Sequence, residues 1–385
     1  MFDRTPVAYI PHFHAGVVWT VIRCRCLCWV FLCCAAGRLS QATEPPPTRI
    51  QIGRGPTPFT RSTGEPFCPW GFNYDRDHRG RLLEEYWDTE WPTVAADFAE
   101  MKRLGANTIR VHLQVDAFFE APYRPNPRAL DRLARLLRLA ERTGLYLNLT
   151  GLGCYRRSRV PLWYEQLDEA GRWHAQTIFW TSVARVAARS PAVFCYNLMN
   201  EPFVPGTPRA QGGWLAGEFG GFSYVQAITL DSAGRPRVMV ARQWIQALAG
   251  AIRSEDPHAL ITVGLLPETR ATDSFSGFDP AMVAEEVDFL SVHLYPRGQP
   301  HDDARQVLET CSALKPVVVE ETFPLHLAPV LMTAFVREHR RFAAGWLTFY
   351  WGQPPEELAT QTTFEAVLLH DWLVRWQILG RCLNP

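Results

Sequence analysis

The chain of 385 residues is 47% hydrophobic and 20% charged, which is the composition of an ordinary globular protein with ample apolar material for a large core. Lys plus Arg and Asp plus Glu are equal at 39 each, so no net field favours nucleic acid or an anionic membrane. The composition therefore argues against large-scale disorder and against a charged partner, and it indicates a neutral one.

The first 42 residues differ from the rest and predict a secretory signal peptide. Arg23 and Arg25 precede an apolar run at 27–36, and small residues at 40–42 suit a signal peptidase. The run is about half as long as a bilayer-spanning helix, so an uncleaved membrane anchor is the weaker alternative. We therefore expect a secreted or periplasmic protein without stable membrane association once the signal is removed.

The cysteines indicate neither a disulfide framework nor a zinc site. Five of the ten lie in the leader, and the others are odd in number and scattered: Cys68, Cys154, Cys195, Cys311 and Cys382. Their spacing is not of the metal-binding type. Cys195 lies inside an apolar run, so we expect it to be a buried free thiol.

Beyond a Pro-rich linker or N-terminal extension at 43–65, short apolar runs alternate with amphipathic helical patterns. Eight such runs predict strands at 68–74, 107–113, 145–152, 192–199, 259–266, 287–295, 316–321 and 345–351. Helical patterns between them include those at 94–105, 129–144, 177–190, 241–254 and 303–315. Several of these patterns end in Gly or in a basic last turn, as helix ends do.

Eight alternating units predict a parallel sheet with helices outside it, closed into a (β/α)₈ TIM barrel that forms a single domain at 66–385. The main rival is an open doubly wound sheet. That fold usually carries a Gly-rich phosphate loop after its first strand, and GFNYDRDHRG is not one. The Gly-rich segment at 203–237 lacks sustained periodicity and predicts a long loop after the fourth strand, of a length typical of functional loops.

Polar residues stand at the ends of several predicted strands, where a barrel would bring them together around its axis. They are Arg110 and His112 on the second strand, Asn200 and Glu201 on the fourth, His293 and Tyr295 on the sixth, Glu321 on the seventh and Trp351 on the eighth. Residues two apart on one strand share a face of it. The sequence therefore predicts a site at this end of the barrel.

Glu201 and Glu321 are separated by three strand-helix units and would face each other across the barrel mouth. Paired carboxylates are what glycoside cleavage needs, about 5–5.5 Å apart for retention or about 6.5–9.5 Å apart for inversion. We expect Glu201, with its pKa raised at the mouth, to donate the proton, and Asn200 to bind a sugar hydroxyl. Arg110 and Tyr295 would keep Glu321 ionised.

Two other glutamates compete for the second role. Glu320 adjoins Glu321, and only one of the two is expected to point inward. Taking Val317 and Val319 as inward selects Glu321, and the opposite parity would select Glu320. Glu218 in the pattern AGEFGG lies in the irregular loop with no β-branched strand before it, so we do not assign it a role.

The motifs NTIRVH, NLMNEP, SVHLYP, KPVVVEE and GWLTFYW together resemble clan A glycoside hydrolases, most closely family 5, which contains cellulases, β-mannanases and related β-glycosidases. The resemblance covers most of residues 66–380. It implies that the chain is a retaining enzyme with Glu201 of Asn-Glu-Pro as acid/base and Glu321 as nucleophile. It also implies supporting or substrate-binding roles for the matching strand-end residues: Arg110, His293, Tyr295 and Trp351.

Two departures from the family pattern mark a divergent branch. Glu321 continues into Thr322-Phe323-Pro324, where the family usually has Phe-Gly, and the third strand ends NLTGLG without the His that many members place there. These differences bear on the substrate rather than on the chemistry.

We therefore expect a monomeric glycosidase that acts on an oligo- or polysaccharide of the β-mannan or β-glucan type, with no metal, organic cofactor or nucleic acid involved. A transglycosylase with the same carboxylate pair is one alternative. The other is a barrel that binds glycans without cleaving them, against which the intact carboxylate pair argues.

Overall fold

The computed structural model describes residues 47–54, 57–266, 276–298 and 303–383. The signal peptide predicted at 1–42 lies outside these ranges and stays a prediction. Within them, no helix is both long enough and apolar enough to cross a membrane.

Eight parallel strands close into a barrel, and each coincides with a predicted strand. They are β1 Trp70–Tyr74, β2 Thr108–Gln114, β3 Tyr146–Gly153, β4 Val193–Asn200, β5 Ile261–Leu265, β6 Leu290–His293, β7 Val317–Glu321 and β8 Gly345–Phe349. Hydrogen-bonded neighbours follow the order β5-β6-β7-β8-β1-β2-β3-β4, so the chain passes once around the axis. The predicted (β/α)₈ TIM-barrel fold is confirmed.

A helix follows each barrel strand: α1 Trp91–Arg103, α2 Pro127–Thr143, α3 Glu169–Ala187, α4 Arg237–Arg253, α5 Pro280–Glu286, α6 Asp303–Ser312, α7 Pro329–His339 and α8 Phe364–Leu383. Helix α2 shows which local residues make a helix start and end where it does. The Asn126 side chain caps its start, Pro127 is its first residue, and Gly144 ends it with a φ of 67°. Its apolar residues recur on one buried face: Ala129, Leu133, Leu136, Leu137 and Ala140.

Short elements lie in the connections of the described chain. Helical turns occur at Leu83–Glu85, Val115–Phe118, Arg157–Arg159, Leu162–Glu165, Arg340–Phe342 and Pro355–Leu358. A two-stranded hairpin is formed by Phe119–Ala121 and Arg124–Pro125.

A small antiparallel sheet covers the amino-terminal end of the barrel, with strands at Ile50–Ile52, Phe59–Arg61 and Pro66–Phe67. The ring of Phe59 lies 5.3 Å from that of Phe194 and 5.2 Å from that of Phe289. The described part of the region at 43–65 is therefore folded rather than a free linker. The reason is that Phe59 and Phe67 give it an apolar face to bury.

The barrel interior has an apolar lower layer. Side chains from the barrel strands and the amino-terminal sheet form one buried cluster, which includes Phe59, Phe67, Tyr146, Phe194, Cys195, Phe289 and Val318. Only the inside of a closed barrel brings side chains of so many strands together. Cys195 is buried there as predicted, and burial raises the pKa of its thiol.

The segment at 203–237, predicted as an irregular loop, contains a small sheet. Leu215–Phe219 and Phe222–Ala227 pair as an antiparallel hairpin, and the second strand also pairs with Pro202–Phe203. The turn residues Gly220 and Gly221 both have positive φ, 59° and 81°, as a two-residue type I′ hairpin turn requires. We call residues 215–227 the insertion hairpin.

Candidate active site

The carboxyl ends of the barrel strands bring all eight predicted site residues to one mouth. Six are buried: Arg110, His112, Asn200, Glu201, His293 and Glu321. Tyr295 and Trp351 are half-buried.

Glu201 follows β4 and Glu321 ends β7, and their carboxylates face each other. One oxygen of each, together with a ring nitrogen of His293, lie within 4.8 Å of one another. Retaining glycosidases place their two carboxyl groups about 5–5.5 Å apart, whereas inverting enzymes place them about 6.5–9.5 Å apart. The pair therefore fits the shorter arrangement.

Glu321 is surrounded by groups that favour its ionised form. Arg110 Nη1 donates to Oε1 at 2.5 Å, and the Tyr295 hydroxyl donates to Oε2 at 2.7 Å. Burial by itself would raise the pKa of Glu321. The charges of His293 and Arg110, with the hydrogen bonds from Tyr295 and Arg110, outweigh burial and hold this pKa below its usual value.

Glu201 has the opposite balance. Its Oε1 lies 2.8 Å from His293 Nδ1, and the residue is only 8% exposed. Burial raises the pKa of Glu201 and outweighs the hydrogen bond and charge of His293, which lower it. The two carboxyl groups are thus tuned in opposite directions, which suits one proton donor and one carboxylate.

The backbone at Glu201 is left-handed, with a φ of 46°. Residues other than glycine and asparagine rarely adopt this conformation, which costs on the order of 1–3 kcal/mol and recurs at functional sites. It turns the chain at the end of β4, so that Asn200 and Glu201 both direct their side chains into the mouth.

His293 lies between the two carboxylates. Its Nδ1 is 2.8 Å from Glu201 Oε1 and 3.4 Å from Glu321 Oε2. Burial lowers the pKa of His293, but the neighbouring carboxylates raise it above its usual value. Gly264 on β5 makes room for the ring, because a Cβ at that position would lie 3.0 Å from His293 Nε2.

Arg110 links several strand ends beneath the pair and is fully buried. Its Nη2 donates to Asn200 Oδ1 at 2.7 Å, its Nη1 also donates to Asn73 Oδ1 at 3.0 Å, and its Nε donates to Thr150 Oγ1 at 2.8 Å. A guanidinium bonded on every side has a fixed position. It therefore fixes Asn200 and Glu321 relative to each other.

His112 supports this network. Its Nδ1 lies 2.5 Å from the Tyr155 hydroxyl and its Nε2 lies 3.3 Å from Asn73 Oδ1. Burial and the charge of Arg110 lower the pKa of His112 well below its usual value. The neutral ring therefore donates from Nε2 to Asn73 and accepts from Tyr155 at Nδ1, while it also lines the cleft.

Glu320 points into the barrel together with Glu321, which corrects the expectation that only one of them would. Its carboxylate is fully buried and accepts from the amides of Asn148 and Asn197 at 2.5 and 2.6 Å. It also lies 3.5 Å from Arg110 Nε. Glu320 is thus part of the floor under the site.

The predicted parity of β7 was wrong for a local reason. Val318 joins the interior cluster, whereas Val317 and Val319 belong to the core that the helices share. Pairing with β6 then shifts at the strand end, from Val319 directly to Glu321, and skips Glu320. This irregularity lets adjacent glutamates both reach the interior side.

The carboxylate pair lies in a cleft of about 220 Å³. Much of its lining is aromatic, including Phe219, Tyr224, Tyr295, Phe323, Phe349 and Trp351. Trp351 packs on Phe323 and Phe349, and its Nε1 donates to Asp75 Oδ1 at 3.3 Å. Such rings suit the apolar faces of a sugar.

Sequence reasoning missed three polar residues of the cleft. Asp75 and Arg76 directly follow β1, and Tyr224 lies on the insertion hairpin. Burial raises the pKa of Asp75, although the charge of Arg76 opposes this. The available signal was a charged pair immediately after a buried strand, the same signal that identified Glu201.

The donor set of Glu201, His293 and Glu321 is compact enough to be considered for a cation. However, both oxygens of Glu321 already accept hydrogen bonds, from Arg110 and from Tyr295. A cation at this point would be repelled by the guanidinium charge. The arrangement therefore suits acid-base chemistry better than metal binding.

The model of the family described as Cellulase (glycosyl hydrolase family 5) matches residues 63–322, a range that includes β1 to β7 and both glutamates. Among curated proteins, none is significantly similar to this chain in sequence.

Solved structures share the fold at low sequence identity. The endo-1,4-β-mannanase of Rhizomucor miehei is 17% identical, with a TM-score of 0.61 over 87% of this chain and 100% of that one. The endoglucanase catalytic domain of Thermobifida fusca is 17% identical, with a TM-score of 0.53 over 88% and 97%. An exo-β-1,4-mannosidase of an Opitutaceae bacterium is 18% identical, with a TM-score of 0.60 over 83% and 60%.

Proposed function

This chain belongs to glycosyl hydrolase family 5 and is therefore a glycosidase, and we propose that it hydrolyses a β-linked glycan with retention of configuration. Glu201 is the acid/base and Glu321 the nucleophile. The observation that carries the proposal is the carboxylate pair, whose facing oxygens lie within 4.8 Å and whose pKa values are shifted in opposite directions.

In the first step, a Glu321 oxygen attacks the anomeric carbon while Glu201 gives its proton to the departing glycosidic oxygen. The bond between carbon and leaving oxygen breaks, and an ester forms between the sugar and Glu321. Arg110 and Tyr295 keep Glu321 ionised and aligned before attack. Asn200, itself fixed by Arg110, is placed to bind a hydroxyl of the reacting sugar.

In the second step, Glu201, now a carboxylate, takes a proton from water, whose oxygen attacks the anomeric carbon and releases Glu321. His293 lies within hydrogen-bond distance of Glu201 and close to Glu321, so it compensates the charge that moves between them. Two displacements at one carbon restore the starting configuration.

Substrates of the β-mannan or β-glucan type are supported by two facts. The family model is described as Cellulase. The structures with the same fold include mannanases and an endoglucanase by name. The aromatic lining of the cleft accommodates either kind of pyranose, since both present apolar ring faces.

The substrate class and the stereochemistry can be tested together. We expect hydrolysis of 4-nitrophenyl β-D-mannopyranoside or β-D-glucopyranoside, and ¹H NMR of the first-formed sugar should show the β-anomer before mutarotation. The reason is the short carboxylate separation.

Two outcomes would contradict this proposal. First appearance of the α-anomer would contradict the double displacement. Binding of β-glycans without cleavage of any aryl glycoside or glycan would favour the non-catalytic barrel.

The pH dependence of kcat/KM should be bell-shaped. Glu321 must be ionised, and its lowered pKa keeps activity down to pH values below the usual carboxyl range. Glu201 must be protonated. Because its pKa is raised, activity should persist at pH values above the usual carboxyl range and fall only when the pH exceeds this raised pKa. A pH series on the aryl glycoside measures both limbs. In Glu201→Gln the decrease of kcat/KM at high pH should disappear, whereas the decrease at low pH, which reports Glu321, should remain. An unchanged decrease at high pH would contradict the role of Glu201.

We further propose that the mature enzyme acts outside the cytoplasm. The support is the leader at 1–42, with its basic residues, apolar run and small residues before the expected cleavage point.

A further inference from the structure

The insertion hairpin is fixed over the ends of β3 and β4 rather than extended into solvent. The Tyr224 carbonyl accepts from Asn200 Nδ2 at 3.1 Å, and Ser223 N donates to the Tyr155 carbonyl at 2.8 Å. Gln226 Nε2 donates to the Leu152 carbonyl at 2.8 Å. Backbone and side-chain bonds thus hold the hairpin against the barrel mouth beside the site.

Arg76 connects this hairpin to the opposite side of the mouth. Its Nη1 donates to the Tyr224 hydroxyl at 2.6 Å. The guanidinium also lies over the rings of Phe222 and Trp351, at 5.3 and 5.1 Å from their centres. Cation–π contacts of this kind stabilise such packing. Tyr224, Phe222, Arg76 and Trp351 therefore form a continuous wall, which we call the end wall.

The position of the end wall relative to the carboxylates decides what it blocks. Arg76 follows β1 and Trp351 follows β8, and these strands come after β7 around the barrel, across the mouth from β4. In the proposed reaction the attacked sugar lies over Glu321 on β7, and its leaving group lies towards Glu201 after β4. Arg76 and Trp351 therefore close the mouth on the side of the attacked sugar, and Phe222 and Tyr224 continue the end wall towards β3 and β4.

The space in front of the wall is small. The cleft of about 220 Å³ falls below the range of about 300–1,000 Å³ usual for drug-sized ligands, which favours one sugar ring over several. Phe219 and Leu325 line the same cleft and are 63% and 48% exposed, so they belong to its rim. The described lining thus resembles a pocket with a closed end.

The closed end is polar. Asp75, with one oxygen bonded to Trp351 Nε1, and Arg76 both line the cleft. A carboxylate and a guanidinium at this point suit free sugar hydroxyls. Within a glycan chain, one hydroxyl of each sugar is linked to the next sugar. This hydroxyl is free only on the sugar at the non-reducing end.

We infer that this enzyme is exo-acting and removes single sugars from the non-reducing end of its β-glycan, with the end wall excluding longer chains and Asp75 and Arg76 recognising the terminal hydroxyls. This inference rests on the proposed function and narrows its substrate to chain ends.

The test uses β-1,4-linked mannotetraose and cellotetraose, each free or with the terminal 4-hydroxyl methylated at the non-reducing end, and the matching 4-nitrophenyl β-glycosides. We expect the free tetraose to give one monosaccharide and a triose, and the methylated one to react slower by about 100-fold or more. Equal rates with internal cleavage would overturn the inference and leave the proposed function standing. No cleavage of any of these compounds would overturn both.

Variants test the wall itself. Arg76→Ala should raise the ratio of methylated to free tetraose cleavage by about tenfold or more, because it opens the closed end. Tyr224→Phe keeps the ring but removes the bond to Arg76, and it should shift the ratio in the same direction. Arg79→Ala removes an exposed arginine from the same loop and is the matched control. With circular dichroism showing folded proteins, a ratio equal in all of them would overturn the role of the wall.

Discussion

Replacing Glu321 with alanine is expected to lower kcat/KM on an aryl β-glycoside on the order of 10⁴- to 10⁶-fold, the scale seen when a covalent nucleophile or its base is removed. The other carboxyl groups at the described mouth are less suited to form the ester: the pKa values of Glu201 and Asp75 are raised, and Glu320 is fully buried, where it accepts from two amides. Initial rates with purified protein measure the loss.

The matched control is Glu218→Ala. Glu218 is exposed on the insertion hairpin, so its removal should change kcat/KM little. Thermal unfolding of Glu321→Ala should show a folded protein, since the change leaves the barrel and Glu320 in place. Ordinary activity in Glu321→Gln would refute the assignment of the nucleophile, because an amide cannot form the ester.

Replacing Arg110 with alanine is expected to lower the free energy of unfolding by about 3–5 kcal/mol, the usual loss when one partner of a buried ion pair is removed. Arg110 is fully buried, and its guanidinium lies 2.5 Å from Glu321 and 3.5 Å from Glu320. Without it, two buried carboxylates lose their nearest fixed cation. Urea unfolding followed by fluorescence measures the change.

Arg103→Ala is the control for Arg110. Arg103 forms exposed pairs with Glu100 and Glu356, which contribute about 0–1 kcal/mol at most. Arg110→Ala should also lose activity, since the pKa of Glu321 rises when its cation is removed. A free energy of unfolding equal to that of Arg103→Ala would show that Arg110 is not the electrostatic centre of the site.

The barrel was predictable because its signals are local and repeated. A buried parallel strand is a short apolar run, and an outer helix is a stretch with one apolar face, so each unit is visible without knowledge of the others. In α2, for example, Asn126, Pro127 and Gly144 mark both ends in the sequence. Closure then follows from having eight units.

The site was predictable only to the level of strand ends. Glu201, Arg110 and His293 stand where apolar runs stop, and the barrel necessarily brings such positions together. The prediction for Glu320 and Glu321 assumed that side chains alternate strictly between the two faces of β7. The shift in pairing at the end of the strand breaks this alternation. A bulge depends on neighbouring strands, so one strand's own sequence does not reveal it.

The insertion hairpin did carry a signal that was missed. Gly220-Gly221 between two phenylalanines is a two-residue turn flanked by apolar residues, which predicts a hairpin. Its docking on Asn200 and Arg76 was not predictable, because those contacts join residues distant along the chain. For the same reason Asp75 and Arg76 had no visible partner in the sequence.

The left-handed peptide at Glu201 has a consequence for how such a chain can change over generations. At this position the backbone conformation is least strained with glycine, whereas the proposed reaction requires an acid. Selection for heat tolerance and selection for turnover therefore act in opposite directions on a single codon. A mutation to glycine there would relieve the backbone strain and, in the same step, remove the proposed proton donor.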